Sequence, residues 1–155
     1  MAFIQEQLPN GLQIVIEIMP DVRSAACGFM TRTGSRDEVP ELAGVSHFLE
    51  HMCFKGNEHR TAEAINIGFD EIGADNNAQT SKDQTFYYSW ARTEDLGKQM
   101  ELLADLMRPG LPAGEFEIEK EVILEEIASY KDDLSAVAYD FLYEQICPGH
   151  PISRP

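Results

Sequence analysis

Residues 3–19, FIQEQLPNGLQIVIEIM, set Asn10-Gly11 between two β-prone runs. That dipeptide flanked by alternating apolar residues is a strong hairpin signal, because the tight turn needs positive φ at its centre. Side chains alternate along a strand, so Ile14, Ile16 and Ile18 share one face. Pro20 and Asp21 end the run. The chain therefore opens with antiparallel pairing. SAACGFMTRTGS reads as a further strand ending at Gly34, and RDEVPEL as a loop. Residues 42–54 read as a helix that stops near Gly56. Thr61 can cap a helix that runs to about residue 72 and is closed by Gly73. ADNNAQT and QTFYYSWA are short strands joined by the turn SKD. Thr93 opens the helical tract EDLGKQMELLADLM, where Leu96, Met100, Leu103 and Met107 keep helical spacing before Pro109 and Gly110. Helical tracts follow at about 115–130 and 134–146. This order predicts an α/β fold of the α+β sandwich kind. A largely antiparallel sheet is covered by helices, with no alternating βαβ units.

At 155 residues the chain is long enough for one domain with a real core. It carries 27 acidic against 12 basic residues, a net charge of −15. Such a surface repels phosphate backbones and anionic lipid, which argues against nucleic-acid or membrane partners. No apolar run approaches the roughly 18 residues of a spanning helix, and MAFIQEQLPNG lacks the pattern of a signal peptide. Cys27, Cys53 and Cys147 are widely spaced and form no CxxC pair. A reduced, cytoplasmic setting is the default expectation.

HFLEHMCF, residues 47–54, sets His47 and His51 four positions apart, on one face of a helix. Two imidazoles so placed can share one zinc ion. Glu50 lies beside that face. Zinc lowers the pKa of a water to about 7, and a neighbouring carboxylate can then accept its proton. His-x-x-Glu-His is a metallopeptidase motif. A plain surface helix with solvated polar residues is the competing reading. Cys53 lies on the far side of the helix and reads as a packed thiol; His59 reads as an exposed loop residue.

A metal site needs a further ligand. EFEIEKEVILEEIASY carries Glu115, Glu117, Glu119, Glu121, Glu125 and Glu126. Glu119 and Glu126 are seven apart, hence on one face, with Val122 and Ile123 between them. That strip is partly apolar and faces inward, where a carboxylate needs a partner. Glu121 and Glu125 point elsewhere. Periodicity alone leaves open that all six form one solvated acidic face. In the aromatic run Phe86, Tyr87, Tyr88 and Trp90, alternate members should fill the core. Arg36 and Glu38 in GSRDE can pair charges locally, with no catalytic step assigned.

Across nearly the whole chain the sequence resembles the inverted-motif zinc peptidases that include pitrilysin, insulin-degrading enzyme and mitochondrial processing peptidase. The resemblance runs in order through NGLQIVI, GSRDE, AGVSHFLEHMCFKG, IGADNNAQTSKDQTFYY, EKEVILEEI and PGHPISRP. It implies a zinc metalloendopeptidase binding one zinc ion, with His47, His51 and Glu126 as ligands and Glu50 as general base. It also implies that Glu119 is a carboxylate supporting the site. Asn77 and Ala78 would lie on an edge strand that pairs with an extended peptide or unfolded protein substrate. His150, in PGHPISRP, matches a segment that holds no metal ligand. Asn57 and Ser153 depart from the usual wording without touching a ligand.

The resemblance also implies a longer architecture of two homologous halves that close on the substrate. Residues 1–155 would then be an N-terminal catalytic domain, incomplete at its C-terminal end. A second half or subunit is the expected partner, and an open sheet edge could pair with another copy. The alternative is a non-catalytic peptide-binding or assembly module. A hydrolase acting on a non-peptide substrate with the same ligands is a third option.

Overall fold

The computed structural model describes residues 2–154. Strands β1 (Ala2–Gln7) and β2 (Gln13–Ile18) form the opening hairpin, antiparallel with Ile4 opposite Ile16. Gly11 takes φ 92° in the connecting loop, the left-handed conformation its lack of a Cβ allows. This hairpin is a sheet of its own, separate from the three-stranded antiparallel sheet of β3 (Ser24–Thr31), β4 (Asp75–Thr80) and β5 (Thr85–Arg92). The order β3-β5-β4 places β5 at the centre and β4 at an edge. β4 and β5 are joined by the 81–84 turn, closed by Ser81 N–H donating to Gln84 O at 2.8 Å.

Among the described residues five α-helices accompany the sheets: α1 (Val45–Cys53), α2 (Ala62–Glu71), α3 (Leu96–Leu106), α4 (Ala113–Tyr130) and α5 (Leu134–Ile146). The α+β class and the antiparallel pairing match the sequence reading. α2 starts where Thr61 Oγ1 accepts the Ala64 N–H at 3.2 Å. α5 starts where Asp133 accepts from Ser135 and Ala136 N–H at 2.9 and 3.1 Å. Among the described residues, no helix is long and apolar enough to cross a membrane.

The core lies between α1–α3 and one face of the larger sheet. Cys53, Ile65, Phe69, Tyr87, Leu102, Leu103 and Leu106 are buried together, with Cys27, Phe29 and Ala78 packed against them. Each such large side chain contributes about 1.5–3 kcal/mol of transfer free energy. On α3 the inward stripe is Gln99, Leu102, Leu103 and Leu106, while Leu96 and Met100 stay exposed. Gln99 can be buried because its amide meets β5 backbone at Ser89 O and Ala91 N, each 3.3 Å away. On β5 the buried set is Thr85, Tyr87, Ser89 and Ala91. Of the four aromatics only Tyr87 enters the core. Phe86, Tyr88 and Trp90 stack along the other face, with ring centroids 5.2 and 5.8 Å apart.

The GSRDE segment docks by backbone on the β4–β5 turn. Ser35 N–H donates to Ser81 O at 3.1 Å, and Arg36 N–H to Lys82 O at 2.9 Å. Only glycine fits at position 34, because a Cβ there would lie 2.3 Å from Ser81 O. The 151–153 turn packs onto this segment, and Arg154 donates to Glu38 O.

Candidate metal centre

α1 follows Gly44, whose φ of 93° turns the chain into the helix. Gly44 has no side chain to cap with, and Glu38 supplies the acceptor. Its two carboxylate oxygens accept the Gly44 and Ser46 N–H groups, each at 2.7 Å. A carboxylate at a helix N-terminus also suits the helix dipole. The helix stops through Phe54 and Lys55, and Gly56 at φ 83° leads the chain away. α1 buries Met52 and Cys53 in the core, and Cys53 Sγ lies 3.4 Å from Tyr87 OH. Burial pushes both groups' pKa up, so both stay protonated and neutral near pH 7. This anchoring fixes the opposite face of α1, which carries the histidines.

The structure brings His47, His51 and Glu126 together. His47 Nε2 and His51 Nε2 are 3.2 Å apart. Glu126 Oε2 lies 3.7 Å from the first and 3.6 Å from the second. Donors about 2.1 Å from one tetrahedral ion stand about 3.4 Å from each other, so this triangle has the size of a zinc site. The donor set, two imidazoles and one carboxylate, is also that of zinc sites with an open fourth position. The residues therefore fit a zinc ion. The cluster is partly open to solvent, with 41% of the His47 side chain and 48% of the Glu126 side chain exposed.

Glu119 is separated from this triangle and is buried, at 4% exposure. Its Oε2 accepts from His51 Nδ1–H at 2.9 Å, and its Oε1 pairs with Lys55 Nζ. The first contact leaves the lone pair of His51 on Nε2, the nitrogen that faces His47 and Glu126. Burial alone would raise the Glu119 carboxyl; the Lys55 and His51 contacts outweigh it and hold the group below its ordinary value. The strip between Glu119 and Glu126 is less inward than the spacing predicts. Ile123 is buried, but Val122 is 38% exposed and Glu126 opens to solvent. Phe48 and Phe116 complete the α1–α4 contact with ring centroids 4.7 Å apart. Glu121 and Glu125 are exposed, as the spacing indicates.

Glu50 sits on the inner side of α1, only 8% exposed. Thr80 Oγ1 donates to Glu50 Oε2, and lies 3.4 Å from Thr85 Oγ1. Thr85 Oγ1 in turn donates to Thr33 O at 3.0 Å. The last residue of β4 thus holds the carboxylate beside the histidines. Asn77 and Ala78 lie on the same strand, three and two residues before Thr80, or roughly 10 and 7 Å along it. Asn77 is exposed and Ala78 half-buried. β4 hydrogen-bonds β5 on one side and, among the described residues, no strand on the other.

Lys55, Thr80 and Glu38 were not singled out as parts of the site from the sequence. Lys55 had a legible signal, since His47, His51 and Lys55 recur every four residues. Thr80 had none, because its contact crosses from a strand to a helix. His59 is exposed and bonded to its own loop, and His150 Nδ1 accepts from Ile152 N–H at 3.1 Å. Neither joins the cluster.

The sequence matches the family model described as insulinase (peptidase family M16) over residues 13–155. It is 41% identical over 149 residues to an uncharacterized zinc protease of Mycobacterium leprae, covering 96% of this chain and 34% of that protein. It is 41% identical over 147 residues to the uncharacterized zinc protease YmxG of Bacillus subtilis, covering 94% and 36%. The chain thus spans about a third of the length of these relatives. Among solved structures, a protease from Helicobacter pylori superposes with a TM-score of 0.89 at 28% identity, covering 98% of this chain and 37% of that one. A peptidase M16 inactive domain from Pseudomonas fluorescens shares the fold, with a TM-score of 0.86 at 18% identity, covering 100% and 38%.

Proposed function

The chain belongs to the insulinase family of peptidases, M16, and from that premise we propose that it is the zinc-bearing catalytic domain of a metalloendopeptidase that cuts extended peptides. The observation that carries the reading is the donor triangle of His47, His51 and Glu126, with sides of 3.2–3.7 Å, beside the buried carboxylate of Glu50. These three residues would hold one zinc ion, and Glu119 would orient His51. The relatives' description as zinc proteases supports the choice of metal. The ion supplies Lewis-acid polarisation at the site. Glu50 takes a proton from the attacking water and passes it to the leaving amine nitrogen as the peptide C–N bond breaks. The free edge of β4 at Asn77 and Ala78 offers main-chain groups to an extended peptide, which tolerates many side chains. A second homologous half, in the same chain or as a partner subunit, would close over that edge.

Metal analysis and a quenched-peptide assay test this. The purified chain should take up about one zinc, and any cleavage should stop with chelator. Glu50→Gln should keep the zinc and lower kcat by at least about a hundredfold, as expected for loss of a general base. Loss of zinc together with activity in that variant would speak against the base role. A zinc-loaded chain that binds peptide and leaves it intact would favour the peptide-binding or assembly module.

A further inference from the structure

Lys55 lies outside α1, yet it touches the residue that orients a proposed metal ligand. It follows His51 by four positions and is placed by its N–H donating to Met52 O at 3.2 Å. Its ammonium pairs with Glu119 Oε1, while Oε2 of the same carboxylate accepts from His51 Nδ1–H. Each oxygen of Glu119 thus has its own partner. A carboxylate 4% exposed has little water to fall back on, so the loss of either partner frees its plane to turn. From this geometry we propose that Lys55 is a positioning residue of the metal centre: it locks Glu119, and through Glu119 fixes the His51 ring with Nε2 aimed at the ion. The proposal rests on the zinc reading above and adds a residue to it.

Other roles for a lysine here predict different signs. A lysine that only tied α1 to α4 would change stability and leave metal affinity alone. A lysine that acted only as a nearby positive charge would repel the ion, and its removal would tighten binding. A positioning lysine has the opposite effect, since losing the orienting partners of a ligand typically weakens metal binding about 10–100-fold. Lys55 acts one step further out, so the lower end of that range is the expectation. Arginine keeps the charge and the donors and should restore most of the loss. The contribution must also run through Glu119, so it should vanish when Glu119 can no longer be locked.

The experiment is zinc affinity of the whole chain, by competition with a chromophoric chelator, with folding checked by circular dichroism on the metal-free proteins. Wild type should bind one zinc. Lys55→Met should raise the zinc Kd about tenfold, Lys55→Arg should return it to within about threefold of wild type, and Lys55→Gln stands in if the methionine variant does not fold. In a Glu119→Gln background the Lys55 substitution should change Kd less than about twofold. An unchanged or lower Kd in folded Lys55→Met, or an undiminished effect in the Glu119→Gln background, overturns the proposal while leaving the zinc site standing. A wild type that takes up no zinc removes the site and the proposal together.

Discussion

α1 and α4 bring the proposed metal ligands together, but they are held in different ways. α1 is capped by Glu38, buries Met52 and Cys53 in the core, and is tied to β4 through Glu50 and Thr80. α4 is twice as long, at 18 residues against 9, yet buries only Glu119 and Ile123. Phe116, Ile118, Leu124 and Ile127 remain exposed. Two of the three donors thus sit on a helix fixed by the core. The third, Glu126, sits on a helix held chiefly by its contact with α1. If a metal is held by all three donors, its binding and the seating of α4 would be one equilibrium. A ligand that needs both helices stabilises the docked arrangement by its own binding free energy.

The sharpest way to break the comparison is truncation on each helix. Met52 is 2% exposed, so Met52→Ala should cost about 2–5 kcal/mol of unfolding free energy. Leu124 on α4 is 50% exposed, and Leu124→Ala should stay within about 0.5 kcal/mol. Urea denaturation measures both. Similar costs at the two positions would mean that α4 is as firmly packed as α1.

Hydrogen exchange tests the coupling. In metal-free protein, α4 amides should exchange faster than those in the middle of α1, because α4 can open without exposing the core. Opening α4 withdraws Glu126 from the triangle. Free zinc at 100 times its Kd should therefore add about 2.7 kcal/mol to that opening and slow α4 exchange by up to about a hundredfold. α4 exchange that zinc leaves unchanged would remove Glu126 as a ligand.

Glu119 links the two helices and gives the comparison a pH signature. Its carboxyl is held below the ordinary value of 4.5 in the folded chain. A group with a depressed folded pKa contributes its full stabilisation above the unfolded value and loses it as pH falls through the folded one. Metal-free wild type should thus lose stability below about pH 4.5 more steeply than Glu119→Gln. Parallel curves would show that the Lys55–Glu119–His51 contacts add nothing to folding.

Local signals made most of the fold legible. Asn10-Gly11, Thr61, Gly73 and the period-two runs mark their elements because caps, turns and alternation act over a few residues. The helical spacing of His47 and His51, and of Glu119 and Glu126, correctly put each pair on one face. The spacing did not distinguish the two glutamates; only the fold sets Glu119 against His51 Nδ1 and Lys55, and Glu126 beside the two Nε2 atoms. Helical spacing alone did not say which face of α3 turns inward, for a related reason. Gln99 is polar, and only the β5 backbone opposite it makes its burial tolerable. The separation of the opening hairpin from the larger sheet had no signal either, because alternation fixes which face a residue takes and says nothing about which sheet it joins.

Glu38 offers a modest effect that separates the anchoring of α1 from its packing. The residue stands six positions before Gly44, so no capping box in the sequence announces it, yet it takes two N–H groups at 2.7 Å. Glu38→Ala should leave those donors to water and cost about 1 kcal/mol, with a range of roughly 0.5–2. Glu38→Gln keeps an acceptor and loses the charge at the helix N-terminus, so it should cost less, about 0.3–1 kcal/mol in low salt. Denaturation of the three proteins at two salt concentrations measures both contributions, since the charge contribution shrinks with salt and the hydrogen bonds do not. Stabilities equal to wild type would mean that the packing of Met52 and Cys53 and the Glu50–Thr80 tie hold α1 in place without the cap, and the contrast with α4 would then rest on those two.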